Sequence, residues 1–407
     1  MQIRSITYFV DPGWPLKAEV FRQARRFFDQ ARPAIAAAGF EVQSLRLACP
    51  PFAQVLGEGN AARCPEYARQ VEQAAGEVGI DYASLGPALP DGLEWYAQIP
   101  AMLAETQNCF ASGSLTSQRH AVSLPAVREC AKVIAAAAQI SPDGFGNLRF
   151  TALGNVRAGS PFFPAAYHAG GAPAFALATE AADLAVGALT GAGSLGAARA
   201  RLLEAIQAAA AALSGAANRL AGQTGVRFEG IDFTLAPYPE VGRSFGTALE
   251  RAGVSAAGLS GTLAAAAFLA DALDRVSFPR TGFTGLMLPV LEDATLARRA
   301  AEGLLTVNEL LLYSTVCGTG LDCIPLPGDT TREQLAAVLL DLAALSLRLE
   351  KPLTARLMPV PGKSAGEETS FAFSYFANSR ILPLQAAPLS GPLAGDEEFD
   401  LFPRRGG

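Results

Sequence analysis

The run IRSITYFV at residues 3–10, followed by LKAEVFRQARRFFDQARPAIAAA at 16–38 and VQSLRL at 42–47, decides how the whole chain is read. The outer stretches alternate with a period of two, and the middle one repeats its apolar residues at three and four, so the order is strand, helix, strand. Strands separated by a helix of that length pair in parallel through a crossover. The unit recurs: a helix at 65–78, a strand at 81–85, a helix at 93–104, a strand at 108–113, a helix at 125–138 and a strand at 148–154. An Ala-rich helix is expected over 174–189 and a longer one across 191–225, where small side chains and spaced charges favour helix. Strands resume at 226–235 and 285–291, helices at 244–252, 261–275, 294–305 and 331–349, and strands at 354–360 and 370–376. The class is α/β, with one large domain of two similar halves over 1–387 and a loosely attached, Pro- and Gly-rich tail over 388–407.

Composition narrows the function. Of 407 residues, 50% are hydrophobic and 17% charged, enough to bury a large core. A formal net charge of -6 supplies no basic field for a phosphate backbone, so nucleic acid is not an expected partner. The apolar stretches are broken by Gly or charge before they reach spanning length, and no membrane partner is expected either. The first ten residues read as a strand rather than a leader, which makes the expected location cytoplasmic. Six cysteines without C-x-x-C spacing read as reduced thiols. Only two histidines, His120 and His168, are present, so a general base is expected among the carboxylates or these two.

Three segments carry more chemistry than packing requires. YSTVCGTGLDCIPLPGDT at 313–330 is read as irregular, with Gly318 and Gly320 permitting close backbone approach and Cys317 presented at a sharp turn. Asp322 and Asp329 flank it, the latter placed to cap the next helix. NVRAGSPFFPAAYHAGGAP at 155–173 follows a predicted strand, where ligands bind in parallel α/β proteins. Phe162, Phe163 and Tyr167 are candidate walls there, and Arg157 and His168 candidate polar contacts to a small anion; a packed loop explains the same residues. GIDFTLAPYPEVGRSFG at 230–246 puts Asp232 on one face of a strand and Glu240, Arg243 and Ser244 at a helix start. Ordinary capping is favoured for Ser244. Asp232 with Glu292 or Asp293 could hold a divalent cation, although acidic residues in a first helical turn need none. P-loop, zincin, nucleophile-elbow and dinucleotide fingerprints are absent, so no nicotinamide, flavin or haem is expected.

The combination GSPFFPAAYH, DFTLAPYPEVG, LPVLED, VCGTGLDCIPLPGD and MPVPGK resembles the family of domain of unknown function 711, the UPF0210 proteins, over nearly the whole chain. The resemblance implies a fold related to the pyruvate formate-lyase and ribonucleotide reductase barrels: a ten-stranded α/β barrel of two parallel half-sheets, with an interior loop that here carries Cys317. In glycyl radical enzymes the corresponding loop bears the cysteine that receives the radical. This chain is much shorter, and Arg404-Arg405-Gly406-Gly407 lacks an aromatic-flanked glycine, so radical chemistry is not expected. The leading expectation is an enzyme of unassigned reaction acting on a small polar or anionic metabolite in the barrel mouth, with Cys317 as nucleophile or acid and Asp232 or His168 assisting. The alternatives are a non-catalytic small-molecule-binding or regulatory protein, and a structural assembly. Ala-rich helices such as 205–217 favour homo-oligomers.

Overall fold

The structure is a computed structural model that describes residues 1–117 and 119–403, so the terminal Arg-Arg-Gly-Gly lies outside the described residues. Five strands form the centre of its main sheet: β1 (Gln2–Phe9), β2 (Val42–Ala48), β3 (Tyr82–Ala88), β4 (Cys109–Ser114) and, beyond the short β5 (Ala121–Ser123), β6 (Phe150–Gly154). All five run parallel, as the repeated strand-helix pattern requires. β7 (Ala174–Glu180) pairs antiparallel with β1 and parallel with β8 (Arg227–Asp232). At the opposite edge, β10 (Leu353–Val360) pairs antiparallel with β6 and parallel with β9 (Gly320–Pro327). The order is therefore β8-β7-β1-β2-β3-β4-β6-β10-β9, a mixed sheet whose outer four strands oppose its central five.

The nine strands do not form a closed ladder. Residues 285–291, expected to be a strand, instead touch both edges through separate bonds. Leu235 N donates to the Gly285 carbonyl at 2.9 Å, Gly318 N to the Leu286 carbonyl at 2.9 Å, and Val290 N to the Asp322 carbonyl at 3.2 Å. Pro289 has no amide to continue a ladder, which accounts for the interruption. Where the segment passes the start of β9, two glycines let the backbones meet. A Cβ on Gly285 would lie 2.9 Å from Gly318 Cα, and one on Gly318 3.1 Å from Gly285 Cα.

Three sequence expectations change here. Residues 174–180 are strand, with the helix confined to Ala182–Leu189, because both faces of β7 are buried and its apolar start, Ala174–Ala178, carries no readable period. Residues 320–327, expected to be irregular, form β9; its prolines are tolerated because β9 is the edge of the ladder. The expected strand at 370–376 is a loop, held by Asn378, whose Oδ1 accepts from Phe371 N at 2.8 Å and whose Nδ2 donates to the Phe371 carbonyl at 3.1 Å.

Part of the C-terminal segment pairs with the rest of the chain. β11 (Glu398–Asp400) pairs antiparallel with β5, and Arg128 donates to the Gly395 carbonyl at 2.6 Å. Among the described residues, no helix is long and apolar enough to cross a membrane.

The Gly285–Gly318 contact yields a stability prediction. Gly285→Ala and Gly318→Ala should each lose about 1–3 kcal/mol from overpacking in urea unfolding. Midpoints unchanged in both variants would show that the two segments are not clamped at this point.

Candidate functional site

A cavity of about 280 Å³ is lined where β2, β3 and β4 begin and where β7 and β8 end. Three strand arginines reach it: Arg4 from β1, Arg46 from β2 and Arg356 from β10. Phe162, Phe163, Phe373 and Tyr375 supply aromatic wall. The 370–376 loop, expected as a strand, therefore contributes Phe373 and Tyr375 to the chamber wall.

Glu292 is the hub. Its Oε2 accepts from Arg4 Nη2 at 2.9 Å, and its Oε1 accepts from Arg356 Nη2 at 2.9 Å and from the Cys323 thiol at 3.2 Å. Arg356 Nε also donates to Asp322 Oδ1 at 2.6 Å. Burial alone would raise the Glu292 pKa, but the charges of Arg4 and Arg356 outweigh it and hold the carboxyl below its usual range. Asp322 goes the other way: burial raises it, with Glu292 adding to the rise against the pull of Arg356, and its Oδ2 has no hydrogen-bond partner. Cys323 is pushed well above the ordinary thiol value, chiefly by burial, so the sulfur beside Glu292 is a protonated donor rather than a thiolate.

Arg46 differs from the other two arginines. Its Nε donates to Ser44 Oγ at 2.9 Å, and its guanidinium carbon lies 5.1 Å from the Phe163 ring centre and 5.8 Å from that of Tyr82. Among the described residues it makes no ion pair. Burial, reinforced by the neighbouring Arg4 charge, pushes its pKa down to about 10, which still leaves it cationic at neutral pH.

Most oxygens of the carboxylates considered for a divalent cation are already engaged, Asp322 Oδ2 being the exception. Glu292, Asp322 and Cys323 bring ligand atoms within 4.8 Å of one another, but Arg356 bonds both carboxylates, and a cation there would sit against its guanidinium. Asp232 lines the chamber with its oxygens committed: Oδ1 accepts from Thr234 Oγ1 at 2.6 Å and Thr284 N at 2.8 Å, and Oδ2 from Phe283 N at 3.1 Å. Asp293 caps the helix Ala294–Ala301, accepting at 2.9 Å from both Thr295 N and Leu296 N.

The sequence-predicted residues divide among several places. Phe162, Phe163 and Asp232 line the chamber, and Asp322 lies behind it on Arg356. Tyr167, His168 and Arg157 belong to a separate cleft, although the same loop carries Phe162 and Phe163. Arg243 pairs with buried Glu180 and donates to Gln2 Oε1 at 2.7 Å, while Glu240 is exposed 3.8 Å from Arg243. Ser244 caps its helix, accepting from Thr247 N at 2.9 Å. Thr331, not Asp329, caps the helix Arg332–Arg348. Cys317 is 1% exposed within the main apolar core; its sulfur accepts from Gly320 N at 3.3 Å, and it does not line the chamber. Sequence reasoning missed Arg4, Arg46, Arg356 and Cys323. The available signal was an arginine inside each of three otherwise uncharged strands, IRSITYF, VQSLRLA and LTARLMPV, where an ionised group needs a buried partner or a ligand.

Fold and chamber together define an α/β protein with a mostly parallel sheet around a small cavity lined by arginines and aromatics. The profile of the family described as Uncharacterised ACR (DUF711) matches residues 1–378, and the chain belongs to that family. Among its relatives, a UPF0210 protein of Desulforudis audaxviator (strain MP104C) is 31% identical over 357 residues, 82% of this chain and 77% of the relative. A UPF0210 protein of Pelotomaculum thermopropionicum (strain DSM 13744 / JCM 10971 / SI) is 30% identical over 386 residues, covering 91% and 83% of the two chains. One from Pyrobaculum arsenaticum (strain DSM 13514 / JCM 11321 / PZ6) is 32% identical over 368 residues, covering 84% and 79%.

Two predictions rest on this geometry. Arg356→Met leaves Glu292 and Asp322 with less compensation and should cost about 3–5 kcal/mol in urea unfolding. A loss below about 1 kcal/mol, the range of exposed pairs, would mean that the pair is solvated. His168 is 3% exposed and its pKa is lowered, chiefly by burial, with a hydrogen bond to the Gly171 backbone opposing. A depressed folded pKa contributes stability that is present above the unfolded value of about 6.5 and lost as pH falls through the folded value. Between about pH 7.5 and about pH 5.5, the wild type should therefore lose more urea stability than His168→Phe. Equal losses would place a solvated imidazole at this position.

Proposed function

We propose that the chamber binds a small anionic metabolite, with Arg46 as the principal anion contact and the aromatic wall holding the rest of the molecule. The carrying observation is the placement of Arg46: a guanidinium facing a cavity, paired with no carboxylate among the described residues, between rings that favour a planar or apolar body. A volume of about 280 Å³ favours a compact molecule over a nucleotide. Arg4 and Arg356 supply further positive potential, partly offset by Glu292 and Asp322.

In this reading the chamber is the interior of a ten-stranded α/β barrel, residues 285–291 standing in as the tenth strand; the three backbone bonds to the two sheet edges favour it. A barrel of that form would agree with the pyruvate formate-lyase relationship implied by the sequence motifs. We assign the reaction no mechanism. Any proton transfer is referred to Asp232 or Glu292, because they face the cavity, and not to Cys317. The protein is taken as an enzyme or receptor of the cytoplasm, with no resident metal required for the binding step.

Thermal-shift titrations with benzoate, succinate and inorganic phosphate test the proposal. At least one anion should stabilise the wild type, by about 2.7 kcal/mol at about 100-fold above Kd, and should lose that effect in Arg46→Gln while keeping it in Cys317→Ala. No response to any of the three anions, or an equal response in Arg46→Gln, would sink the proposal.

A further inference from the structure

The other end of the central strands holds a second cleft, of about 400 Å³. Its lining follows the C-terminal ends of the parallel strands. Pro51 comes after β2, Leu89 directly after β3, Ser114 ends β4, and Asn155 directly follows β6. This is the end at which open parallel sheets take their ligands.

Several independent observations meet in this cleft. Both histidines of the 407-residue chain line it. Among the described residues, His168, 3% exposed, has no hydrogen-bond partner at Nε2, and Ser117 Oγ, on the same lining, is also buried without one. Buried polar atoms are nearly always satisfied, so two orphans at one cavity point to an absent partner. His120 and Asn155, also lining residues, hold φ of 57° and 53°, a left-handed conformation that is uncommon away from glycine and clusters at functional positions. The lining contains no Asp or Glu, whereas Arg157 is exposed beside it and makes no ion pair among the described residues.

We propose that this cleft binds an oxyanion that also carries a hydroxyl, such as monohydrogen phosphate or an α-hydroxycarboxylate, with Arg157 on the anionic oxygens and His168 Nε2 accepting from the hydroxyl. Burial favours the neutral form of the His168 imidazole, in which one ring nitrogen carries the proton and the other a lone pair. A donor at Nδ1 leaves Nε2 as a lone-pair acceptor, which matches an O–H and not a bare anion. Ser117 Oγ, able to donate and accept, completes the set. Asn155 N already donates to Thr116 Oγ1 at 3.0 Å and Tyr167 donates to the Val156 carbonyl at 3.0 Å, so those groups shape the cleft without being free to bind.

With only two histidines, the imidazole resonances can be followed directly in a protein labelled with nitrogen-15. Inorganic phosphate and lactate are titrated separately at constant ionic strength, with acetate as the oxyanion lacking a hydroxyl. Saturable shifts of the His168 ring signals are expected with phosphate, lactate or both, and whichever binds identifies the source of the group. Acetate should bind more weakly. Arg157→Gln, an exposed substitution that leaves the core untouched, should weaken the apparent Kd by about tenfold, while Arg46→Gln in the other chamber should leave it unchanged. Shifts no larger than sodium chloride produces, acetate binding as tightly as lactate, or an unchanged Kd in Arg157→Gln would overturn the proposal without bearing on the central chamber.

Discussion

Glu292 accepts from arginines on two strands that run in opposite directions, Arg4 of β1 in the central five and Arg356 of β10 in the outer four. Its carboxylate is thus the point at which the two halves of the sheet are joined across the chamber by charge and not by ladder hydrogen bonds. Taking three ions out of water is expensive, and the attraction between them offsets that expense only when each lone pair is also hydrogen-bonded. Glu292 meets this condition with two guanidinium donors and a thiol, whereas Asp322 meets it only in part, since one of its oxygens has no donor. An apolar cluster of the same volume would hold the strands together at lower cost. Retaining a charged one keeps the chamber polar, and a polar chamber is of use to a ligand.

The same arrangement bears on the expectation of a divalent cation. Acidic residues at 232, 292 and 293 resemble a cation site in sequence because sequence does not show who else reaches them. In space, Arg4 and Arg356 have taken Glu292, backbone amides have taken Asp293, and a hydroxyl with two amides has taken Asp232. Carboxylates already bonded by internal cations and amides are poor ligands for an external cation, since binding must first break those bonds.

What was legible in the chain follows from periodicity. The repeating strand-helix units of the first 154 residues announce themselves because each strand alternates or is bounded by a clear helix, and the mostly parallel sheet follows. β7 did not: AFALATE is buried on both faces, and Ala-rich sequence suits a helix by propensity. The loop at 370–376 failed in the opposite sense, because Phe371, Phe373 and Tyr375 alternate like a strand, whereas Phe371, Phe373 and Phe376 pack as an aromatic cluster around Phe145. The site was legible only in fragments. Phe162, Phe163 and Asp232 were singled out on local grounds, while the arginines that define the chamber come from strands 350 residues apart in the chain, and their convergence is a property of topology. Cys317 drew attention because glycines surround it, yet Gly318 serves backbone approach to Gly285, and Gly320, at φ 97°, would place a Cβ 2.4 Å from the Thr354 carbonyl oxygen. The glycines answer a packing constraint, and the cysteine between them is a small buried side chain.

The loop at 155–173 carries residues to both ends of the sheet. Phe162 and Phe163 turn into the arginine-lined chamber, while Arg157, Tyr167 and His168 face the opposite cleft, with Ser84 Oγ fixing the loop through a 2.6 Å bond to the Ala166 carbonyl. His168 N donates to the Cys49 carbonyl at 2.9 Å, which ties the same loop to the end of β2, the strand that also carries Arg46. A displacement of this loop would therefore move the Phe163 ring against the Arg46 guanidinium and the His168 ring against its cleft at once. Coupling between two sites requires a physical element that both of them bias, and this loop, pinned to the sheet between its two functional faces, touches each.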